Sequence, residues 1–244
     1  MPALNRRSIA EQLNSAQLAV SNALADSETL QMLSEYGYTA AKIKEGQKLY
    51  ETARLAVNNH KTLFGEQQET TSELNQTRIS ALDSYQALAK VARAVWLRDK
   101  ARLETLGLHG KTPRTTAGFI TSAYTLFDNA GDNPASYAAL AEYGYTKTRL
   151  ASERARITAY DKLNQKQEAA KGEAQNAVRE QEAALKALAD WLARFLKIAR
   201  VALRTKKEYL EKLGILVRSG RTEAQIKAPE KARETRARKK AAKG

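Results

Sequence analysis

The chain has 244 residues, of which 43% are hydrophobic and 28% charged, enough apolar material for a buried core in one large domain or two small ones. It contains no cysteine, which removes disulfides, thiolate metal sites and cysteine nucleophiles together. Its 41 lysines and arginines against 27 acids leave a net charge of +14, which favours nucleic acid, acidic membranes or acidic proteins as partners and is silent about fold.

The N-terminus, MPALNRRSIAEQ, has no apolar signal core, and no stretch reaches the ~18 apolar residues of a membrane span, so a soluble, cytoplasmic protein is expected. Ser8-Ile9-Ala10-Glu11 has the pattern of a capping box and predicts the start of the first helix. Asp26 is a second N-cap candidate, for a short helix beginning near residue 27. The stretch SEYGYTA, Ser34–Ala40, then ends that helix and opens another. A Schellman ending wants glycine in the left-handed region and an apolar residue after it touching one five positions back, as Gly37, Tyr38 and Leu33 provide. Thr39 is placed to cap the next helix, with Tyr38 stapled to Ile43. One tyrosine would close one helix and start the next.

Beyond this corner, Ile43, Tyr50, Val57 and Phe64 recur every seven residues, widened by Leu49, Ala53, Ala56 and Leu63. Leu74, Ala81, Leu88 and Val95 continue the pattern beside Leu82, Tyr85, Val91, Ala92 and Trp96. Gly65–Glu73 between them has no apolar residue, and its counterpart Asn164–Asn176 has only alanines. Both are expected as tips of helical hairpins, the alternative being one helix of nearly seventy residues crossing a polar patch. Gly107, with Leu108 and Leu103, ends this part of the chain.

From Thr115 the same text is written again, 107 residues on. Thr115 stands at Ser8's place, Asn133 (with Pro134 after it) at Asp26's, and AEYGYTK, Ala141–Lys147, repeats the corner with Leu140, Gly144, Tyr145, Thr146 and Leu150. Lys90-Val91-Ala92-Arg93 meets Lys197-Ile198-Ala199-Arg200, and Gly107 meets Gly214. The organisation expected is a first helical repeat over 1–108, a linker over 109–114, a second repeat over 115–217 packed on the first as one domain, and a basic tail over 218–244. The fold class is all-α: an elongated bundle of two tandem, pseudo-twofold-related repeats, with a flexible C-terminal tail.

Signatures of enzymes are sparse. The two histidines, His60 and His109, exclude HExxH and paired Glu-x-x-His motifs, and no glycine-rich phosphate loop occurs. Asp83 and Asp190 are equivalent and could form a carboxylate pair, although such residues are more often surface acids. Tyr36 and Tyr143 could stack on bases, whereas Tyr38 and Tyr145 are accounted for by the helix corners. Trp96 and Trp191 do not share a repeat position, and core packing suits both. No catalytic residue, metal site, cofactor or small-molecule substrate is assigned.

The cations are more informative. Lys90, Arg93 and Lys100 match Lys197, Arg200 and Lys207, and their spacing puts each trio along one side of a helix. Arg204 extends the second trio where the first has Leu97. Such a face is either solvated and paired with glutamates of neighbouring helices or a track for a polyanion, touching phosphates rather than bases. The tail holds ten basic and three acidic residues, including Arg236, Arg238, Lys239 and Lys240. Its few large apolar residues cannot offset the entropy of ordering. Two functions follow as expectations: a non-enzymatic structural or interaction protein that self-associates or docks another protein, or a nucleic-acid-associated protein binding polyanions through its tail and helix faces.

Overall fold

A computed structural model describes residues 8–215, and within them eight helices and no strand. They are α1 (Ile9–Ala25), α2 (Ser27–Glu35), α3 (Ala40–Val95), α4 (Lys100–Thr105), α5 (Thr116–Asp132), α6 (Pro134–Ala141), α7 (Lys147–Ala202) and α8 (Lys207–Lys212). The all-α expectation holds. The basic tail lies outside the described residues.

Local hydrogen bonding explains where each helix stops and starts. The Ser8 hydroxyl accepts from Glu11 N while the Glu11 carboxylate accepts from Ser8 N, so the capping box closes in both directions. Asp26 accepts from Glu28 N and Thr29 N to cap α2, Thr115 from Gly118 N to cap α5, and Asn133 from Ser136 N to cap α6. At the two Tyr-Gly-Tyr corners, Gly37 and Gly144 take left-handed φ of 80° and 83°. Tyr38 N donates to Leu33 O at 3.0 Å and Tyr145 N to Leu140 O at 3.2 Å, the reach of a Schellman ending. Gly107 and Gly214 repeat the arrangement, with Leu108 N on Leu103 O and Ile215 N on Leu210 O. Both inner tyrosines are buried, Tyr38 in the same core as Ile43 and Tyr145 in the same core as Leu150.

The hairpin expectation is overturned: residues 65–73 and 164–176 are helical throughout, inside the 56-residue helices α3 and α7. Polarity there is compatible with helix because glutamate, glutamine and alanine have high helix propensity and no proline interrupts either segment. Threonine hydroxyls are satisfied by the preceding turn, Thr70 on Glu66 O and Thr71 on Gln67 O. The buried residues there are small ones, Thr70 and Ala174, which suits a narrow seam, and Lys166 reaches Glu73 across it at 3.9 Å. Phe64, expected on the buried heptad, is about half exposed.

Two compact units cut across the boundaries expected for the repeats. One takes the described residues up to Leu55 and those from Glu182 on; the other spans Ala56–Gln181. The first has a core of α1, α2, the start of α3, the end of α7 and α8, centred on Tyr38, Trp191 and Phe195. Trp191 stacks on Phe195 at 5.1 Å, and Tyr38 meets both rings edge-on. The second packs the rest of α3 with α4, α5, α6 and the start of α7 around Tyr85, Phe119 and Tyr160. Bulk is placed differently in the two. Trp191 packs onto Gly46 in the first unit, while the positions 107 residues away hold Ser84 and Glu153.

Candidate functional site

The cations singled out in the sequence divide between the units. Lys90 and Arg93 lie near the end of α3 and Lys100 opens α4, in the second unit; Lys90 and Lys100 are exposed and Arg93 is half-buried. Lys197 and Arg200 lie near the end of α7, Arg204 in the turn after it, and Lys207 opens α8, all exposed and all in the first unit. Arg236, Arg238, Lys239 and Lys240 lie outside the described residues.

None of these seven described cations forms an ion pair among the described residues. Others nearby do. Arg149 bonds Glu153, Arg154 bonds Asp128, Lys206 bonds Glu28 and Lys212 bonds Asp26. The neighbouring-glutamate alternative therefore does not describe the two faces. Sequence explains part of this: residues 84–98 and 191–207 contain no acid, so Lys90, Arg93, Lys197 and Arg200 have no partner one helical turn away. Lys100, Arg204 and Lys207 have Glu104, Glu208 and Glu211 four residues on and still form no ion pair with them. Unpaired cations on a folded surface keep both their charge and their donors for an external anion.

The α7 face is the better developed. Leu192, Phe195 and Ala199 point into the core, which leaves Lys197 and Arg200 on the outward side of α7, with Arg204 exposed in the turn that follows. Arg194 is exposed at the margin of this face and likewise in no ion pair among the described residues; a match at a shift of 107 residues does not pick it out, because Ala87 stands there. Its signal was there in the steps of three, three and four from Arg194 to Lys197, Arg200 and Arg204.

A second polar cluster ties α2 to α8 in the first unit. Tyr209 donates to Glu28 Oε2 at 2.5 Å, Lys206 bonds the other oxygen, and Lys212 reaches Asp26 at 2.9 Å. The Lys206 hydrogen bond holds the Glu28 carboxyl below its ordinary value, and the bond to Glu28 pushes the Tyr209 hydroxyl up to about 12. Asp26 is lowered chiefly by the α2 amide of Thr29, then by Lys212. These groups neutralise one another, and their role is to fix α8.

Asp83 and Asp190 are both exposed, one in each unit. His60 is half-buried with its ring 6.1 Å from Phe64, and His109 is exposed between α4 and α5. Among the described residues no group of three histidines or acids is placed to hold a metal ion, and no helix is long and apolar enough to cross a membrane. Tyr36 and Tyr143 are exposed at 42% and 59%, whereas Tyr38 and Tyr145 are buried, and burial raises the hydroxyl pKa of the latter two. Trp191 is buried and Trp96 packs against the second core. No protein family, curated protein or solved structure matches the chain.

Proposed function

We propose that the chain is a non-enzymatic interaction scaffold: two tandem copies of one helical unit, related by a pseudo-twofold, that self-assembles or docks a partner on its exposed helix faces. Reciprocity is the observation that supports the duplication. Asn22 in α1 donates to the Lys212 carbonyl in α8, and Asn129 in α5 donates to the Thr105 carbonyl in α4, each at 2.6 Å. Gly214 lies against Leu18, and Gly107 against Thr125. Every one of these positions maps onto its counterpart by the same 107-residue shift, with the two copies trading roles. A copy alone would leave half of each core uncovered, and exposing that much apolar surface is unfavourable.

The unpaired cations favour nucleic acid as the partner, bound through phosphates by the helix faces and the tail without sequence preference. Light scattering over a concentration series tests assembly, and titration of a mixed-sequence DNA duplex at increasing salt tests the anionic partner. A protein that stays monomeric at every concentration and binds neither DNA nor RNA at low salt would overturn both readings.

A further inference from the structure

We infer that nucleic acid is held at one dominant site, the face formed by Arg194, Lys197, Arg200, Arg204 and Lys207, and that the equivalent face of the second unit has lost this role. The inference rests on the nucleic-acid reading above and adds location, geometry and stoichiometry to it.

The two faces share three cations: Lys197 with Lys90, Arg200 with Arg93, Lys207 with Lys100. They differ at three further places. Arg194 is matched by Ala87, Arg204 by Leu97, and Lys206 by Asp99. Thr205 is matched by Arg98, a single change in the opposite sense. Residues 191–207 thus hold six cations and no acid, while 84–100 hold four cations and Asp99. Lys206 is engaged with Glu28, so five cations of this stretch are open to a ligand against four in the second unit, where Arg98 offsets one of Arg194 and Arg204 and Asp99 adds an acid beside it. The replacement of Arg204 is not neutral in kind: Leu97 is 77% exposed, so the second unit presents an aliphatic side chain where the first presents a guanidinium.

The chemistry of the face points to phosphates. Three of its five cations are arginines, whose planar fork of donors matches a phosphate and whose charge is fixed at any physiological pH. From Arg194 to Arg200 helix α7 rises about 9 Å, a length over which one strand of a duplex presents about three phosphates, and Arg204 follows in the turn after the helix. A membrane surface fits less well. A helix lying on lipid inserts an apolar face, and the apolar face of α7 is spent on the core, leaving only Val201 exposed among the cations. Ile215, where the described residues end, precedes a tail with a surplus of seven positive charges, so the cationic zone continues in sequence from this face.

The test uses the full chain and fluorescence anisotropy with a mixed-sequence DNA duplex of about 20 base pairs. The loss variant, Arg194→Ala with Arg204→Leu, gives the first unit the residues the chain already carries at Ala87 and Leu97. It is expected to lower affinity at low salt about tenfold or more and to make the slope of log K against log salt shallower by about 2. Lys90→Gln with Arg93→Gln removes the same charge from the second unit and is expected to change the slope by less than about half a unit. The gain variant, Ala87→Arg with Leu97→Arg, is expected to raise affinity and the number of duplexes bound from one towards two. Circular dichroism melts check that each variant folds, and the gain variant keeps the inference testable should the loss variant unfold.

If both pairs of losses weaken binding equally, the charge acts diffusely and the single-site inference falls while the nucleic-acid reading survives. If the parent protein binds no duplex and no RNA at low salt, that reading falls too. Tight binding to anionic vesicles or polyglutamate that depends on Arg194 and Arg204, with weak binding to DNA, would place a different partner on this face and overturn the inference.

Discussion

Gly46→Ala tests whether the approach of α3 to α7 in the first unit is as close as the structure has it. A Cβ built on Gly46 would lie 2.2, 2.4 and 2.5 Å from three carbons of the Trp191 indole, against an ordinary separation of about 3.5–4.0 Å. The indole has little room to retreat, because it is 5% exposed, stacked on Phe195 and met edge-on by Tyr38. Alanine gains about 1 kcal/mol of helix propensity over glycine, and overpacking of this severity costs about 3 kcal/mol. The variant should therefore be less stable by about 2 kcal/mol, a fall in Tm of roughly 4–8 °C for a chain of this length. Gly65→Ala and Gly172→Ala are the internal controls. Both sites are helical with nothing within 4 Å of a new Cβ, so each should gain about 0.5–1 kcal/mol. Urea unfolding followed by circular dichroism measures all three, and Trp191→Leu should remove the penalty at residue 46. A Gly46→Ala protein as stabilised as the two controls would refute the close approach and with it the packing of the first core.

The tyrosine pairs should separate cleanly: Tyr38→Ala or Tyr145→Ala should cost about 3–5 kcal/mol in urea unfolding, and Tyr36→Ala or Tyr143→Ala less than about 0.5 kcal/mol. Gly37→Ala and Gly144→Ala should each cost about 1–2 kcal/mol from backbone conformation alone, because no Cβ clash awaits at either site. The Asp26 and Glu28 carboxyls have lowered values in the folded state, so what they add to stability is present above the ordinary carboxylate range and lost as pH falls through their folded values. Thermal melts should show a drop below about pH 4 that is shallower in Glu28→Gln. Tyr209 runs the other way: its bond to Glu28 contributes fully below its ordinary value of 10.0 and is lost as pH rises through about 12. Difference titration against Tyr209→Phe should find this tyrosine ionising nearer 10.0 once Glu28 is glutamine.

What the sequence determined by itself is local. Helix periodicity, the caps at Ser8, Asp26, Thr115 and Asn133, and the glycine-tyrosine corners each depend on groups within a few residues of one another, and backbone geometry holds such groups at fixed distances. The cationic trios were legible only in part: steps of three fix one side of a helix for Lys90 and Arg93 in α3 and for Lys197 and Arg200 in α7, but the expectation of one helix per trio fails, because Lys100 and Lys207 open the next helices and Arg204 lies in a turn. What only the tertiary structure decided involves residues whose separation along the chain carries no spacing rule. Whether 65–73 turns back or runs on depends on whether the halves of α3 pack on each other or on α7, and the polar composition of that stretch is compatible with both. Gly46 reads as a weak point in a helix until Trp191, 145 residues later, is seen to occupy the space its missing side chain leaves. Lys206 and Lys197 look alike in the sequence, yet one is neutralised by Glu28 and the other stands open, because pairing is set by which helices the core brings together rather than by the cation itself.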